Sequence, residues 1–395
     1  MRLKGISLFS NVGVAEAYME RNNIDIVIAN DLEEVRAKFY KHLYPNTDMI
    51  IGDIRDDKIF KEIITKAEKY DIDFLIATPP CQGMSTAGMK DPSDPRNKLI
   101  VEAIKVIKKI KPRFILIENV TNQLKTEIEI NGKRILIPQY LKHELEEDYV
   151  FNDNVVVNAM DYGVPQSRER AIYLLARKDT NIKWEFGEKV DNIQTLRDAI
   201  GDLPSLDPFI KDITEEERRL IFPEYEEKRI RGLEISRWHY PPTHMWGHVS
   251  AMIHTPEGCS AFENRIYYPK KRNGEKSKGY SNTYKRQWWD KPAYTITRYT
   301  GRLGSQENGH PGRLILDDGT EEGRIYSDAR VLTIYELLIV SSLPKNWDIP
   351  EWASNNLIRE AIGEGIPPRL VEAAISRLTD KQEYEKMKID KKVVE

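Results

Sequence analysis

Cysteine is nearly missing from this chain: 395 residues carry 2, Cys81 and Cys259. Two thiols build no disulfide framework, and without a cysteine cluster there is no thiolate metal centre to seek, so a reducing, cytoplasmic setting is expected. Long apolar runs are missing too. No stretch of 18 apolar residues occurs, which excludes a membrane-spanning helix, and the N-terminal apolar stretch is too short and broken for a secretory signal. Net charge is small, with 60 Lys and Arg against 63 Asp and Glu, a formal −3. Internal repeats and low-complexity tracts are absent. Histidine is sparse, yet 4 of the 7 fall close together as His239, His244, His248 and His254. No cysteine or paired acid accompanies them, so they read as packing or phosphate contacts, and no metal is expected. The length allows two domains, and 40% apolar content can fill a core in each.

What is present is a set of apolar runs that end in chemistry. Residues 73–78 predict a strand buried on both faces, and Pro79 and Pro80 forbid its continuation. Cys81 follows on a rigid turn at the strand's carboxyl end, the end that faces the ligand crevice in open α/β sheets. Read alone, such a cysteine is as consistent with inert packing as with a nucleophile. A second run, residues 113–120, ends in Glu118 and Asn119, so two neighbouring parallel strands would bring Cys81 and Glu118 to one rim. A third piece, residues 158–170, leads into a strand at 171–176. Its Arg168 and Arg170 alternate at strand period and so point to one face.

Cysteine, acid and paired arginines in this order, each tied to a strand edge, resemble the DNA cytosine-5 methyltransferase family. The resemblance covers residues 3–177 and 328–378. The unmatched stretch between them lies where family members carry a target-recognition segment. The chemistry implied is specific. Cys81 would add as a thiolate to carbon 6 of cytosine. Glu118, beside N3, would share or donate a proton, which requires a raised pKa. The resemblance implies that Arg170 holds the cytosine O2 and Arg168 braces the acid. Carbon 5 would then take the methyl of S-adenosyl-L-methionine, with the target base flipped out of the duplex.

The cofactor half is read from the first 60 residues. Residues 4–16 are a strand, a tight turn and a helix start, with Phe9, Asn11 and Gly13 in the turn. The family usually has glycine where this chain has Asn11 and Val14; asparagine tolerates positive φ and valine does not. A second strand, residues 24–31, ends in Asp31, followed by Leu32, and suits ribose hydroxyls. A third, residues 50–54, ends in Asp53 and Ile54, and Asp53 resembles the residue that takes the adenine amino group. Pro80 and Leu99 complete the expected cofactor wall. Near the C-terminus, residues 361–368 precede an apolar-periodic helix at 369–378, and Glu364 stands where the family usually has asparagine. The loop from 82 to 96, with Gln82 and Ser85, is expected to close over DNA.

The near-zero net charge hides a basic segment. Residues 265–302 hold 11 Lys or Arg against 2 Asp or Glu, interleaved with tyrosine and tryptophan. Clustering of this kind suits phosphate contacts and stacking, which points to Lys270, Lys271, Arg272, Lys285, Arg286 and Arg298 as DNA contacts. Residues 213–231 read as an exposed helix and 328–338 as a capped one. Turns around Gly274 and Gly309 suggest hairpins, and the tail from 381 is expected to fray.

The fold expected is α/β: a Rossmann-like, mostly parallel methyltransferase sheet built from residues 1–195 plus 360–395, with a smaller β-rich target-recognition domain at 196–359. The partner expected is double-stranded DNA bound by a monomer, with a cognate restriction endonuclease as a functional partner. An RNA (tRNA) cytosine-5 methyltransferase and an inactive DNA-binding homologue remain the alternatives.

Overall fold

The computed structural model describes residues 2–80, 95–271, 273–320 and 323–389. Five parallel strands form its centre: β1 (Leu3–Leu8), β2 (Ile24–Asp31), β3 (Asp48–Ile51), β4 (Phe74–Ala77) and β5 (Phe114–Asn119). A hairpin of β6 (Glu127–Ile130) and β7 (Lys133–Leu136) stands apart. The sheet then continues through β8 (Tyr149–Phe151), β9 (Val156–Asn158) and β10 (Glu169–Arg177). Strand order is β3-β2-β1-β4-β5-β10-β8, with β9 beside β10, and β10 runs antiparallel to β5. The chain first builds outward from β1 to β3, then returns to place β4 on the other side of β1. Such a reversal opens a crevice beyond the carboxyl ends of β1 and β4.

The runs that read as strands are strands because both faces are covered. On one face, α2 (Asp57–Tyr70), α3 (Leu99–Ile110) and α4 (Ile137–Leu145) bring Ile63, Ile104, Ile107 and Leu141 onto Leu75, Ile115 and Ile117, while α1 (Glu34–Leu43) packs beside β2 and β3 and puts Phe39 into a separate cluster with Val12, Val14 and Trp347. Helix α3 shows why: Ile100, Ala103, Ile104 and Ile107 recur at helical spacing and are all buried. Asp56 caps α2 by accepting from the Lys58 amide. On the opposite face, Leu370, Val371, Ala374 and Ile375 of the helix Pro368–Thr379 pack with Met19, Phe74, Leu116 and Trp184. That helix opens with proline at its first turn, where a missing amide costs nothing.

Residues 196–359 contain short ladders in place of an extended sheet: Phe209–Ile210 with Thr243–His244, and Leu314–Leu316 with Tyr326 and Ile325, plus isolated bridges. The expected helix at 213–231 is two helices, Glu215–Ile221 and Tyr225–Ile235, divided at Pro223, which cannot donate to a helical ladder. The helix expected from 328 starts at Ile334, because Thr333 and Glu336 form a capping box there. The preceding residues turn inward: Arg330 pairs with Asp328 at 2.7 Å and Glu336 at 2.8 Å, all three fully buried. Lys270 bridges Lys276 across the turn at Gly274, whereas Gly309 bridges Arg286 and Val331 and closes no local hairpin. The described part of the tail carries a helix at Lys381–Lys386, and Lys388 is bridged to Ile182.

Candidate active site

The crevice floor is shaped by backbone that folds back sharply after β1. Phe9, Asn11 and Gly13 all take positive φ, at 58°, 50° and 87°. Asparagine at 11 is therefore an adequate stand-in for glycine. Val14 has φ −64°, so valine there is unstrained. Its side chain instead sets a limit on residue 365, where a Cβ would lie 2.7 Å from Val14 Cβ.

Two strand-end acids are tied into this floor. Asp31 accepts the amide of Asn11 at 2.8 Å and that of Glu33 at 2.9 Å. Burial pushes its carboxyl above the usual range despite those donors. Asn30 stitches the β2 and β3 ends together by donating to the carbonyls of Ile50 and Gly52. Asp53 lies just past β3 and accepts from the Arg55 amide and guanidinium; the side-chain bond to Arg55 holds its carboxyl below the usual range. Phe9, Leu32, Ile54, Pro80 and Leu99 line the same cleft, Leu32 at its open edge with 61% exposure.

The chemical rim lies next to this floor. Thr78 donates from its amide to the Leu8 carbonyl and from its hydroxyl to that of Phe9, and Asn119 donates to the Pro79 carbonyl at 3.0 Å. These bonds fix the Pro79–Pro80 turn between β1 and β5. Cys81, Gln82 and Ser85 lie outside the described residues. Glu118, near the end of β5, is 7% exposed, and its Oε1 lies 2.8 Å from Arg170 Nε. Burial raises the Glu118 pKa, against the attraction of Arg170 and Arg168.

The two arginines divide their work differently from the expectation. Arg170 makes the ion pair with the acid. Arg168, 2% exposed, donates to the carbonyls of Ile296, Gly363 and Gly365 at 2.7, 2.9 and 3.0 Å. The reason is positional: β10 begins at Glu169, so Arg170 lies within the strand, opposite Val157 of β9 and one residue before the ladder with β5 starts at Ala171, while Arg168 sits before the strand, against the second region. The site also needs glycine at 363, where a Cβ would come within 2.3 Å of the Thr297 backbone.

Among the expected DNA contacts, Arg286 is a structural strut. It is fully buried and donates to the carbonyls of Met252, His310 and Asp328. Arg298 faces the cleft but pairs with Glu364 at 3.3 Å and Glu360 at 3.7 Å. Lys285 is partly buried beside Glu307 and Tyr294. Lys270 and Lys271 are exposed, and Arg272 lies outside the described residues. The histidines pack: His239 bonds Thr333, His244 accepts the Val331 amide, His248 meets Tyr284 and His254 stacks on Tyr267. Among the described residues no group of three or more His, Cys, Asp or Glu could hold a metal ion, and no helix is long and apolar enough to cross a membrane. Sequence reading missed Arg36, which reaches Glu364 at 2.6 Å across 328 residues of chain. It also missed Tyr280 and Tyr299 as members of the cleft wall, although both stood in the basic, aromatic segment.

Both regions contribute to one cleft of about 1450 Å³, which holds the strand-end acids, Glu118, Arg170 and the 295–299 and 304–307 segments. The sequence profile of C-5 cytosine-specific DNA methylase matches residues 3–380, nearly the whole chain. The chain belongs to that family. The Type II methyltransferase M1.HgaI of Avibacterium volantium is 45% identical over 94% of this chain and 96% of its own length. Among solved structures, the Entamoeba histolytica methyltransferase EhMeth superposes with TM-score 0.58 at 16% identity, covering 96% of this chain and 100% of its own. DNMT2 of Spodoptera frugiperda gives 0.54 at 18%, covering 95% and 98%. These two likenesses concern the fold alone. The enzyme is thus a DNA cytosine-5 methyltransferase on a Rossmann-like, mostly parallel sheet.

Proposed function

We propose that this enzyme transfers a methyl group from S-adenosyl-L-methionine to carbon 5 of a flipped-out cytosine in a short duplex DNA sequence, through a Cys81 adduct at carbon 6. The observation that carries the reading is the buried Glu118–Arg170 pair beside the Pro79–Pro80 turn that leads into Cys81.

The residues present fit the methyl donor. Asp31 and Asp53 place carboxylates at two strand ends for hydroxyl and amino groups, and Phe9, Leu32, Ile54 and Leu99 offer apolar surface in the same cleft. Asn11 Oδ1 is buried there without a hydrogen-bond partner among the described residues, so an acceptor awaits a donor. Asn11, Asp31, Leu32, Asp53, Ile54, Leu99 and Glu364 would hold the donor, which when bound supplies an electrophilic methyl on sulfonium sulfur.

Glu118 performs the proton work. Its raised pKa keeps a proton available for N3, so that thiolate addition at carbon 6 need not leave a full negative charge on the ring. Arg170 orients the carboxyl and remains close enough to reach the cytosine O2. Arg168 holds the wall on which Gly363 and Gly365 sit. The exposed Lys270 and Lys271 meet phosphates. The Type II names of the relatives support a restriction-modification role, the protection of host DNA; a cognate endonuclease as functional partner, action as a monomer and a cytoplasmic setting are further parts of the proposal.

The test is transfer of labelled methyl to unmethylated genomic DNA, followed by bisulfite sequencing. Protected cytosines at one short sequence are the expected result. Retained transfer by Cys81→Ala would overturn the adduct, and cofactor binding without turnover would leave an inactive DNA-binding homologue.

A further inference from the structure

Five charged side chains alternate in sign in one connected series, and four of them, Glu33, Arg36, Glu364 and Arg298, line one wall of the cleft. Glu33 Oε2 lies 2.9 Å from Arg36 Nε, and Arg36 Nη1 lies 2.6 Å from Glu364 Oε2. Glu364 Oε1 lies 3.3 Å from Arg298 Nη1, and Arg298 Nη2 lies 3.7 Å from Glu360 Oε1. The series begins next to Asp31 in the cofactor half, passes through Glu364 on the helix Asn355–Glu364, reaches Arg298 between Thr297 and Tyr299 in the second region, and returns to the same helix at Glu360. The side chains of Arg36, Glu364 and Arg298 are 13%, 23% and 33% exposed. They are shielded enough to feel one another and open enough to change partners.

Glu364 is the shared member, giving one oxygen to each arginine. The members that line the cleft, Glu33, Arg36, Glu364 and Arg298, are two acids and two arginines and balance in charge, with Glu360 a second partner of Arg298 outside the lining. A DNA phosphate that takes Arg298 neutralises that guanidinium and leaves Glu364 with Arg36 alone. The wall then presents one more negative charge to the cofactor half. S-adenosylmethionine carries a sulfonium and an ammonium against one carboxylate, a net positive ligand. S-adenosylhomocysteine, which has given up the methyl and the sulfonium charge, is net neutral.

We propose that Glu364 couples the two substrates: duplex phosphate draws Arg298 away, and the carboxylate so released makes the cleft favour the cationic methyl donor over its neutral product. The inference rests on the reading of the site given above. Besides lining the donor's part of the cleft, Glu364 acts in this coupling through its pairing with Arg298 and Arg36, and linkage requires that the donor tighten DNA binding by the same factor. The acid in place of the family's usual asparagine thereby gains a role, because an amide has no charge to release.

The experiment is titration calorimetry of the full chain with S-adenosylmethionine and with S-adenosylhomocysteine, each without and with a saturating duplex that carries the site found by bisulfite sequencing and is already methylated at its target cytosines, so that no methyl is transferred during the titration. Duplex is expected to tighten the donor roughly fivefold or more beyond its effect on the product. Glu364→Gln should bring that excess close to one, and Glu364→Asp should restore part of it. Loss of structure alone would weaken both ligands together and leave the excess unchanged. Equal effects of duplex on the two ligands in the unaltered protein would overturn the inference without any variant. So would an unchanged excess in Glu364→Gln. Wild-type protein that binds neither ligand overturns the reading of the site as well, whereas normal methyl transfer with charge-blind coupling overturns only the inference.

Discussion

Glu118 is hidden from water and faces a guanidinium, and these two influences on its proton oppose each other. Burial is the larger, so the neutral acid persists to higher pH than in a free glutamate. The rate of methyl transfer should therefore fall as pH climbs through the raised pKa, and Glu118→Gln should remove that basic limb while lowering kcat by roughly 10²–10⁴. A pH–rate profile of both proteins checks this. Glu16 offers a second residue-scale prediction. Burial pushes its carboxyl up to about 7, only partly offset by Ser7. A folded pKa above the unfolded one means stability is full at low pH and is lost as pH rises from about 4.3 toward and past 7. The cost of ionising it is on the order of 3 kcal/mol. Glu16→Gln should accordingly raise the urea midpoint at pH 8 and leave it little changed at pH 4.

Among the elements, β10 decides which arginine does what. Its register sets Ile172 opposite Glu118, which leaves Arg170 one strand period away and able to pair with the acid. Arg168 precedes the strand and binds three carbonyls from two distant segments. Lysine keeps the charge but lacks the planar fork those acceptors use. Arg168→Lys should lower the urea midpoint and weaken binding of S-adenosylmethionine without moving the basic limb of the pH–rate profile. Arg170→Lys should move that limb, because lysine keeps a charge there but loses the guanidinium Nε that faces Glu118 Oε1 at 2.8 Å. If Arg168→Lys moves it instead, the division of labour is the reverse. Strand-period alternation made the pair visible in the sequence, since both arginines do line the cleft. It carried no information on where the strand begins, because that depends on which residues pair across space, Glu169 with Asn158 of β9 and Ala171 with Asn119 of β5.

At the scale of the whole molecule, the basic segment mixes two kinds of cation. Lys270 and Lys271 stand in solvent, while Arg286 is spent on internal carbonyls. Charge counting along the chain cannot separate them, since a buried arginine and a phosphate-binding one look alike in a list. Lys270→Ala and Lys271→Ala should each flatten the slope of log binding constant against log salt by roughly 0.9. A slope unchanged in both would place the duplex elsewhere.

The five central parallel strands and β10, the acid at the end of β5, the turn after β4 and the family were legible in the residues, whereas the short strands β6 to β9 were not. Apolar runs, proline stops and strand-end acids are local signals, and local signals survive without coordinates. Three things required the folded chain. The pairing of Arg170 rather than Arg168 with Glu118 depends on strand register. The burial of Arg286 depends on carbonyls gathered from Met252, His310 and Asp328. The series from Glu33 through Glu364 to Glu360 joins residues up to 328 positions apart, and it exists because β2 ends beside the C-terminal helices in space. Charge and hydrogen bonding are set by distance through the protein, and a sequence records only distance along it.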